Sequence, residues 1–290
     1  MSKIRFNIAG AFSKKDQLMM FFFKNKDILN DYSFTVYDGI NNCKWNGGRI
    51  NRDIQFDQQA IDFYYRNRIS IALTFTNPII DIKDPVGNLL LEKFHQEENY
   101  IISVNDELRD YIKSEFPKYK HTRSITGHGC INSPMTSKDV EWYKSLEDKY
   151  DVIVPRSEHI FDQMFTSLSQ HKYEIMLNDT CMYNCPFYDQ HFKMIALQNT
   201  LYTKPWRENS KVMESIEECW LPNFDPDVGH EATKNKLQDD YGMDLTNKQM
   251  QRLIDRGVTD FKITGREMKY EDFEHELNTY LKNIKLCQKS

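Results

Sequence analysis

Long apolar runs are missing from this chain. Met19–Phe23 is its greasiest stretch, far short of the roughly 20 residues that a bilayer-spanning helix needs. The N-terminus lacks the apolar core and small-residue cleavage site of a secretory signal, so the chain reads as cytoplasmic with no membrane partner. An excess of positive charge is also missing. The formal net charge of −5 offers no overall attraction to nucleic acid, although a local basic patch stays open. The segment after Phe12 (Ser13, Lys14, Lys15) holds no GxGxxG, which argues against a dinucleotide site. There is no HExxH zinc helix, no Ser/His/Asp arrangement and no Cys–His pair at readable spacing, so nothing supports a protease. Internal repeats and low-complexity segments are absent as well.

What is present is a regular alternation of strand and helix patterns. Strands are expected at Lys3–Phe12, Ser33–Ile40, Ile69–Asn77, Tyr100–Asn105, Lys120–Gly127, Asp151–Pro155, Tyr173–Asn178 and Asp260–Thr264. Helices are expected at Lys15–Leu29, Phe56–Arg68, Val86–Gln96, Asp106–Phe116, from a Ser137 cap to Tyr150, and at His159–Leu168. Three more follow at Phe187–Gln198, Thr246–Arg256 and Tyr270–Ile284. Eight such units in 290 residues match the length of a single-domain α/β protein of the (β/α)8 TIM-barrel type, spanning residues 1–290. Residues 200–242 form an irregular insertion or lid between the seventh and eighth strands. The Lys234–Asp240 charge run within it reads as a solvated face.

In a barrel the loops after the strands converge on one rim, where barrel enzymes work. Five of the six cysteines fall on those loops or in the insertion: Cys43, Cys130, Cys181, Cys185 and Cys219, with Cys287 in the tail. In a reducing compartment they are not a disulfide framework. One reading is a [4Fe–4S] cluster on Cys43, Cys181, Cys185 and Cys219, with Cys130 in reserve for the fourth place. A second is zinc held by Cys181, Cys185, Cys219 and either His191 or His128. A third treats the cysteines as small apolar fillers. The radical-SAM spacing Cys-x3-Cys-x2-Cys is absent, since position 188 is Tyr.

Three blocks carry a resemblance. They are Tyr37-Asp38-Gly39-Ile40-Asn41-Asn42-Cys43-Lys44, then Val154-Pro155-Arg156-Ser157-Glu158, then the Gly257–Arg266 block GVTDFKITGR. Together they resemble the collagenase-like peptidase family U32, which includes oxygen-independent ubiquinone, tRNA and rRNA hydroxylation proteins. The chain departs from the family in its cysteine spacing after the seventh strand and in the residue inserted between Arg156 and Glu158. The resemblance implies a barrel, a [4Fe–4S] cluster and oxygen-independent hydroxylation, with prephenate as the oxygen donor in characterised relatives. It also allows a non-catalytic subunit that works with a protein partner or as a homo-oligomer.

Arg156, Lys262, Arg266 and Arg49 are candidates to hold an anionic substrate or donor at the rim, with Glu158 beside them. The alternative is that Lys262 and Arg266 pair with rim carboxylates such as Glu158. Asn77, Asn178 and His128 are candidates for contact with a small-molecule or nucleic-acid substrate, while Asn178 and Asp179 also suit Asx-type loop bonds. Trp45 and Trp206 would wall an aromatic pocket or simply pack. Gly127-His128-Gly129 would let backbone approach a ligand or form a plain turn. A last alternative is a hydrolase or lyase using Glu158 and Asp38 as acid and base, its cysteines inert.

Overall fold

The computed structural model describes residues 3–40, 42–47, 56–78, 80, 82–127, 134–179, 188–189, 192–193, 196, 245–265 and 268–288. The first half of the barrel is β1 (Arg5–Ala9), α1 (Lys15–Lys24), α2 (Ile28–Asp31), β2 (Ser33–Asp38), α3 (Gln58–Arg66), β3 (Ser70–Phe75), α4 (Pro85–Lys93) and β4 (Tyr100–Ser103). Then come α5 (Asp106–Glu115), β5 (Lys120–Arg123), α6 (Ser137–Glu147), β6 (Val152–Ile153), β7 (Glu174–Met176), α7 (Asn247–Asp255), β8 (Asp260–Ile263) and α8 (Tyr270–Cys287). The strands are shorter than the sequence pattern suggests. The 187–198 helix and the 200–242 insertion lie largely or wholly outside the described residues.

Local chemistry sets the helix starts. Asp57, Asp84 and Asn105 each accept a backbone N–H in the first turn of α3, α4 and α5. The start of α6 differs from the Ser137 cap read from the sequence: the cap is Thr136. Its N–H and hydroxyl both bond Asp139 Oδ2, at 2.7 and 2.6 Å, because the acidic residue three positions on from Thr136 completes a capping box. The helix expected at His159–Leu168 is instead a series of turns and a 3-10 segment, Met164–Ser167. Asp162 accounts for this, since its carboxylate captures the backbone N–H groups of Met135 and Met164 at 3.0 and 2.8 Å.

All eight strands are parallel, in the order β6-β5-β4-β3-β2-β1-β8-β7. The two end strands meet through a parallel bridge, Ile153 to Tyr173, which closes the ring. Following the residue pairing once around returns to β1 displaced by eight residues, the shear of a (β/α)8 barrel. Outward-facing Phe6, Ile8, Phe34, Val36, Ile71, Leu73, Ile101, Ile175, Phe261 and Ile263 are buried in one continuous core beneath the helices.

The register also sorts the inward residues into layers of four from alternate strands. From the closed end upward these are Thr35, Tyr100, Val152 and Asp260; then Asn7, Ala72, Thr122 and Glu174; then Tyr37, Ile102, Val154 and Lys262; then Ala9, Thr74, Ser124 and Met176. Branched aliphatics usually fill such a barrel. Here the middle is polar. Glu174 is fully buried and accepts from Asn7 Nδ2 at 3.1 Å, with Arg5 Nη2 and Lys262 Nζ each 3.5 Å away. Arg5 also pairs with Asp260 and lies 4.4 Å from the Tyr100 ring centroid. Burial raises the Asp260 carboxyl above its usual range even though Arg5 opposes the shift.

His121, on β5, is 3% exposed and both its ring nitrogens lack hydrogen-bond partners. Burial is the largest influence, and it lowers the imidazole from 6.5 to about 4 against the opposing charge of Asp151. The neutral form is therefore the folded form. Its contribution is intact above pH 6.5 and is lost as pH falls from 6.5 towards 4, because the unfolded chain takes up the proton first. Relative to His121→Phe, the native protein should lose on the order of 2 kcal/mol of unfolding free energy between pH 7 and pH 4.5. Urea melts of both proteins at the two pH values measure this difference.

Candidate functional site

The mouth at the C-terminal ends of the strands is best defined on its β6–β7 side. Beyond β6, Arg156 is 7% exposed and grips Glu158 with two bonds, Nε to Oε2 at 3.0 Å and Nη2 to Oε1 at 2.5 Å. Its guanidinium carbon lies 3.6 Å from the Tyr188 ring centroid, a stacked cation–π geometry. The Arg156 backbone N–H donates to the Tyr143 hydroxyl at 3.2 Å, which leaves the phenol proton for His159 Nδ1 at 3.0 Å. Burial raises the Tyr143 phenol well above its ordinary value, so this hydroxyl remains a donor. Next along the loop, Ser157 Oγ donates to Asp179 Oδ2 at 2.7 Å.

These contacts bracket the Cys181–Cys185 segment. Asp179, two positions before it, and Tyr188, three positions after it, both touch the Arg156–Glu158 loop. Two sequence positions nine apart are thereby tied to one short stretch at the barrel mouth. Cys181 and Cys185 themselves lie outside the described residues.

Asn178 acts as a clamp between β7 and β8. Its Oδ1 accepts the Thr264 N–H at 2.8 Å, its carbonyl accepts the Thr264 hydroxyl at 2.9 Å, and its Nδ2 reaches Thr264 O and Glu276 Oε2. Lys262 points into the barrel. Its ammonium lies 3.5 Å from Glu174 on β7 and 4.3 Å from the Tyr37 ring centroid on β2. The ion pairs that the sequence left open are thus distributed differently: Glu158 is held by Arg156, and Lys262 is held by Glu174 in the barrel interior.

The β2–β3 side is packed more like a core. Asp38 is fully buried and takes the N–H groups of Phe12, Ser13 and Gly39 together with the Ser13 hydroxyl, at 2.7–3.2 Å. A carboxylate so engaged holds the first loop in place and is a poor general base. Cys43 is 1% exposed and belongs to the outer core; burial, helped by Asp84, pushes its thiol far above the ordinary range. Trp45 is fully buried against Phe75 and Tyr111, so it packs rather than walling a pocket. A Cβ at Gly87 would stand 2.2 Å from the indole, so α4 has glycine where the tryptophan crosses it. Asn77 ties this loop to the end of β3, with Nδ2 donating to Lys44 O at 2.7 Å.

Arg49, His128, Cys130, His191, Trp206, Cys219 and Arg266 lie outside the described residues. Gly127 ends a 3-10 turn at Ile125–Gly127, and its two successors in that block lie outside as well. Among the described residues no group of three or more His, Cys, Asp or Glu side chains is arranged to hold a metal ion. No described helix is long and apolar enough to cross a membrane. Sequence reasoning passed over Glu174, Asn7, Thr74 and Tyr188. The first two had a visible signal, a charged or amide residue at alternate positions of otherwise apolar strands.

A scan of protein-family models and a search of curated proteins give no match. Among solved structures, the chain is similar to the one described as the structure of the U32 peptidase Mk0906. The TM-score is 0.49 and the identity 10%, over 91% of this chain and 94% of that one. That protein bears the name of the family the three sequence blocks resemble. At this level of likeness neither substrate nor mechanism carries over, and the barrel assignment stands on the strand register alone.

Asn178→Ala removes the side-chain half of the β7–β8 clamp: the part-buried Thr264 N–H loses its acceptor and Glu276 its amide donor, while the Thr264 hydroxyl keeps the backbone carbonyl. The unfolding free energy should fall by about 2–3 kcal/mol, measured by denaturant titration. Asn178→Asp should not rescue it, because the new carboxylate replaces the amide donor that faces Glu276 Oε2 and Thr264 O.

Proposed function

We propose that this chain is a barrel enzyme with its chemistry on the β6–β7 side of the mouth. In this reading it carries a [4Fe–4S] cluster and hydroxylates, or otherwise modifies, an anionic or aromatic substrate without O2. The observation that carries the reading is the bracketing of the Cys181–Cys185 segment by Asp179 and Tyr188, both fastened to the Arg156–Glu158 loop. Two thiols in a segment whose flanking residues Asp179 and Tyr188 are held at the mouth suit a soft metal centre. Two of the three blocks that resemble the U32 family also contribute here, through Arg156–Glu158 and through Lys262 on β8.

The ligand set divides on Cys43. A cluster ligand is a thiolate, whereas Cys43 is buried beside the Asp84 carboxylate, and both effects favour the neutral thiol. That environment fits the cluster poorly. Cys181, Cys185 and Cys219 therefore form the core of the proposed set, with Cys130 a better candidate than Cys43 for the remaining place. When bound, the cluster would supply one-electron chemistry. The chain's own contribution would be the cation and hydrogen-bond framework of Arg156, Ser157 and Glu158 that holds the cysteine loop. The acid–base hydrolase reading loses support, because Asp38 is committed to the first loop and Glu158 to Arg156.

Anaerobically purified protein should be brown, with broad absorbance around 400 nm and about four irons per chain. Cys181→Ser and Cys185→Ser should each bleach it, whereas Cys43→Ser should keep its colour and lose only stability. Colourless protein containing zinc would overturn the cluster in favour of a zinc site. Retention of colour in the Cys181 and Cys185 variants would remove this segment from the metal centre.

A further inference from the structure

Among the described residues, three buried side-chain oxygens lining the barrel have no hydrogen-bond partner: Thr35 Oγ1, Asn7 Oδ1 and Thr74 Oγ1. The layers separate them. Thr35 and Asn7 lie below the level of Lys262, in the closed part of the barrel, where a water molecule is the natural filler. Thr74 lies above it, in the last layer before the mouth. Its residue is 6% exposed, and a hydroxyl left unpaired at that depth is destabilising.

The rest of that layer is Ala9, Ser124 and Met176. Ser124 is occupied with Thr126 at 3.1 Å, so Thr74 supplies the unmet polar group. Ala9, Thr74 and Ser124 are smaller than the branched aliphatics that barrels of this class normally place there, and the adaptable Met176 packs with Ile125, Val154 and Tyr188. Beneath lies the Lys262 ammonium, between Glu174 and Tyr37. Charge in the closed section is balanced, with Arg5 and Lys262 against Glu174 and Asp260.

We infer that this layer is a subsite for an uncharged oxygen-bearing group, a carbonyl or carboxamide, that descends from the mouth and accepts the Thr74 hydroxyl proton. The charge balance below the layer decides against a carboxylate, which would bring an unmatched negative charge into a dry barrel. The anionic part of a substrate would stay at the rim. This subsite depends on the barrel and not on any metal, so it stands or falls separately from the cluster.

Ala9, Thr74 and Met176 each carry a methyl group, so the full chain labelled with 13C at alanine, threonine and methionine methyls reports on the layer directly. Titration with acetamide should shift the Ala9 and Met176 signals saturably, and equimolar acetate should shift them at least several-fold less. Thr74→Val, which keeps the shape and removes the hydroxyl, should weaken the acetamide response about five-fold. Absence of saturable shifts would mean that the layer holds ordered water only. An equal response in Thr74→Val, or a stronger response to acetate than to acetamide, would also overturn the assignment. Brown protein that fails this titration would leave the cluster reading untouched.

Discussion

One carboxylate sits where the barrel can least tolerate an unmatched charge. Glu174 is fully buried, and removing an ion of this kind from water costs several kcal/mol unless partners compensate. The compensation comes from β1 twice, through Arg5 and Asn7, and from β8 through Lys262. The three adjacent strands β7, β8 and β1 are therefore joined on the inside by ionic and amide bonds as well as by their backbone ladders. Elsewhere in the ring, apolar contacts such as Tyr37, Ile102 and Val152 suffice. The polar seam fixes the direction in which Lys262 points, and with it the floor of the mouth.

Above that floor, side-chain bonds to backbone and between loops take over from strand pairing. Arg156 is a hub whose guanidinium faces Glu158 and Tyr188 and whose amide addresses Tyr143. Asp38 does similar work for the first loop, and Asn178 for the junction of β7 and β8. Arg156 and Asn178 were candidates for substrate contact and Asp38 for acid–base chemistry, and each is bonded to the protein. Among the described residues, these side chains are held by the protein itself, which is the usual condition for orienting a reactant.

The barrel was legible because period-two apolar runs alternating with amphipathic segments leave few other solutions. What the sequence concealed was side-chain choice within that frame. Cys43 and Trp45 follow a strand, as rim residues do, yet the loop turns them outward into the core against α4. Asp162 looked like one polar residue of a helix, but its carboxylate captures two backbone N–H groups and breaks the helical pattern. The charge of Glu174 was visible in its strand, but alternation alone does not reveal that the next two strands round the ring, β8 and β1, supply its partners.

The eight-residue shear has a consequence for how this sequence can change over evolutionary time. Height in the barrel is tied to strand parity, so deleting a single residue from β8 would turn Phe261 or Ile263 inward and carry Lys262 out among the helices. The strands can therefore drift in identity but hardly in length, and gains and losses of sequence are confined to the connecting segments.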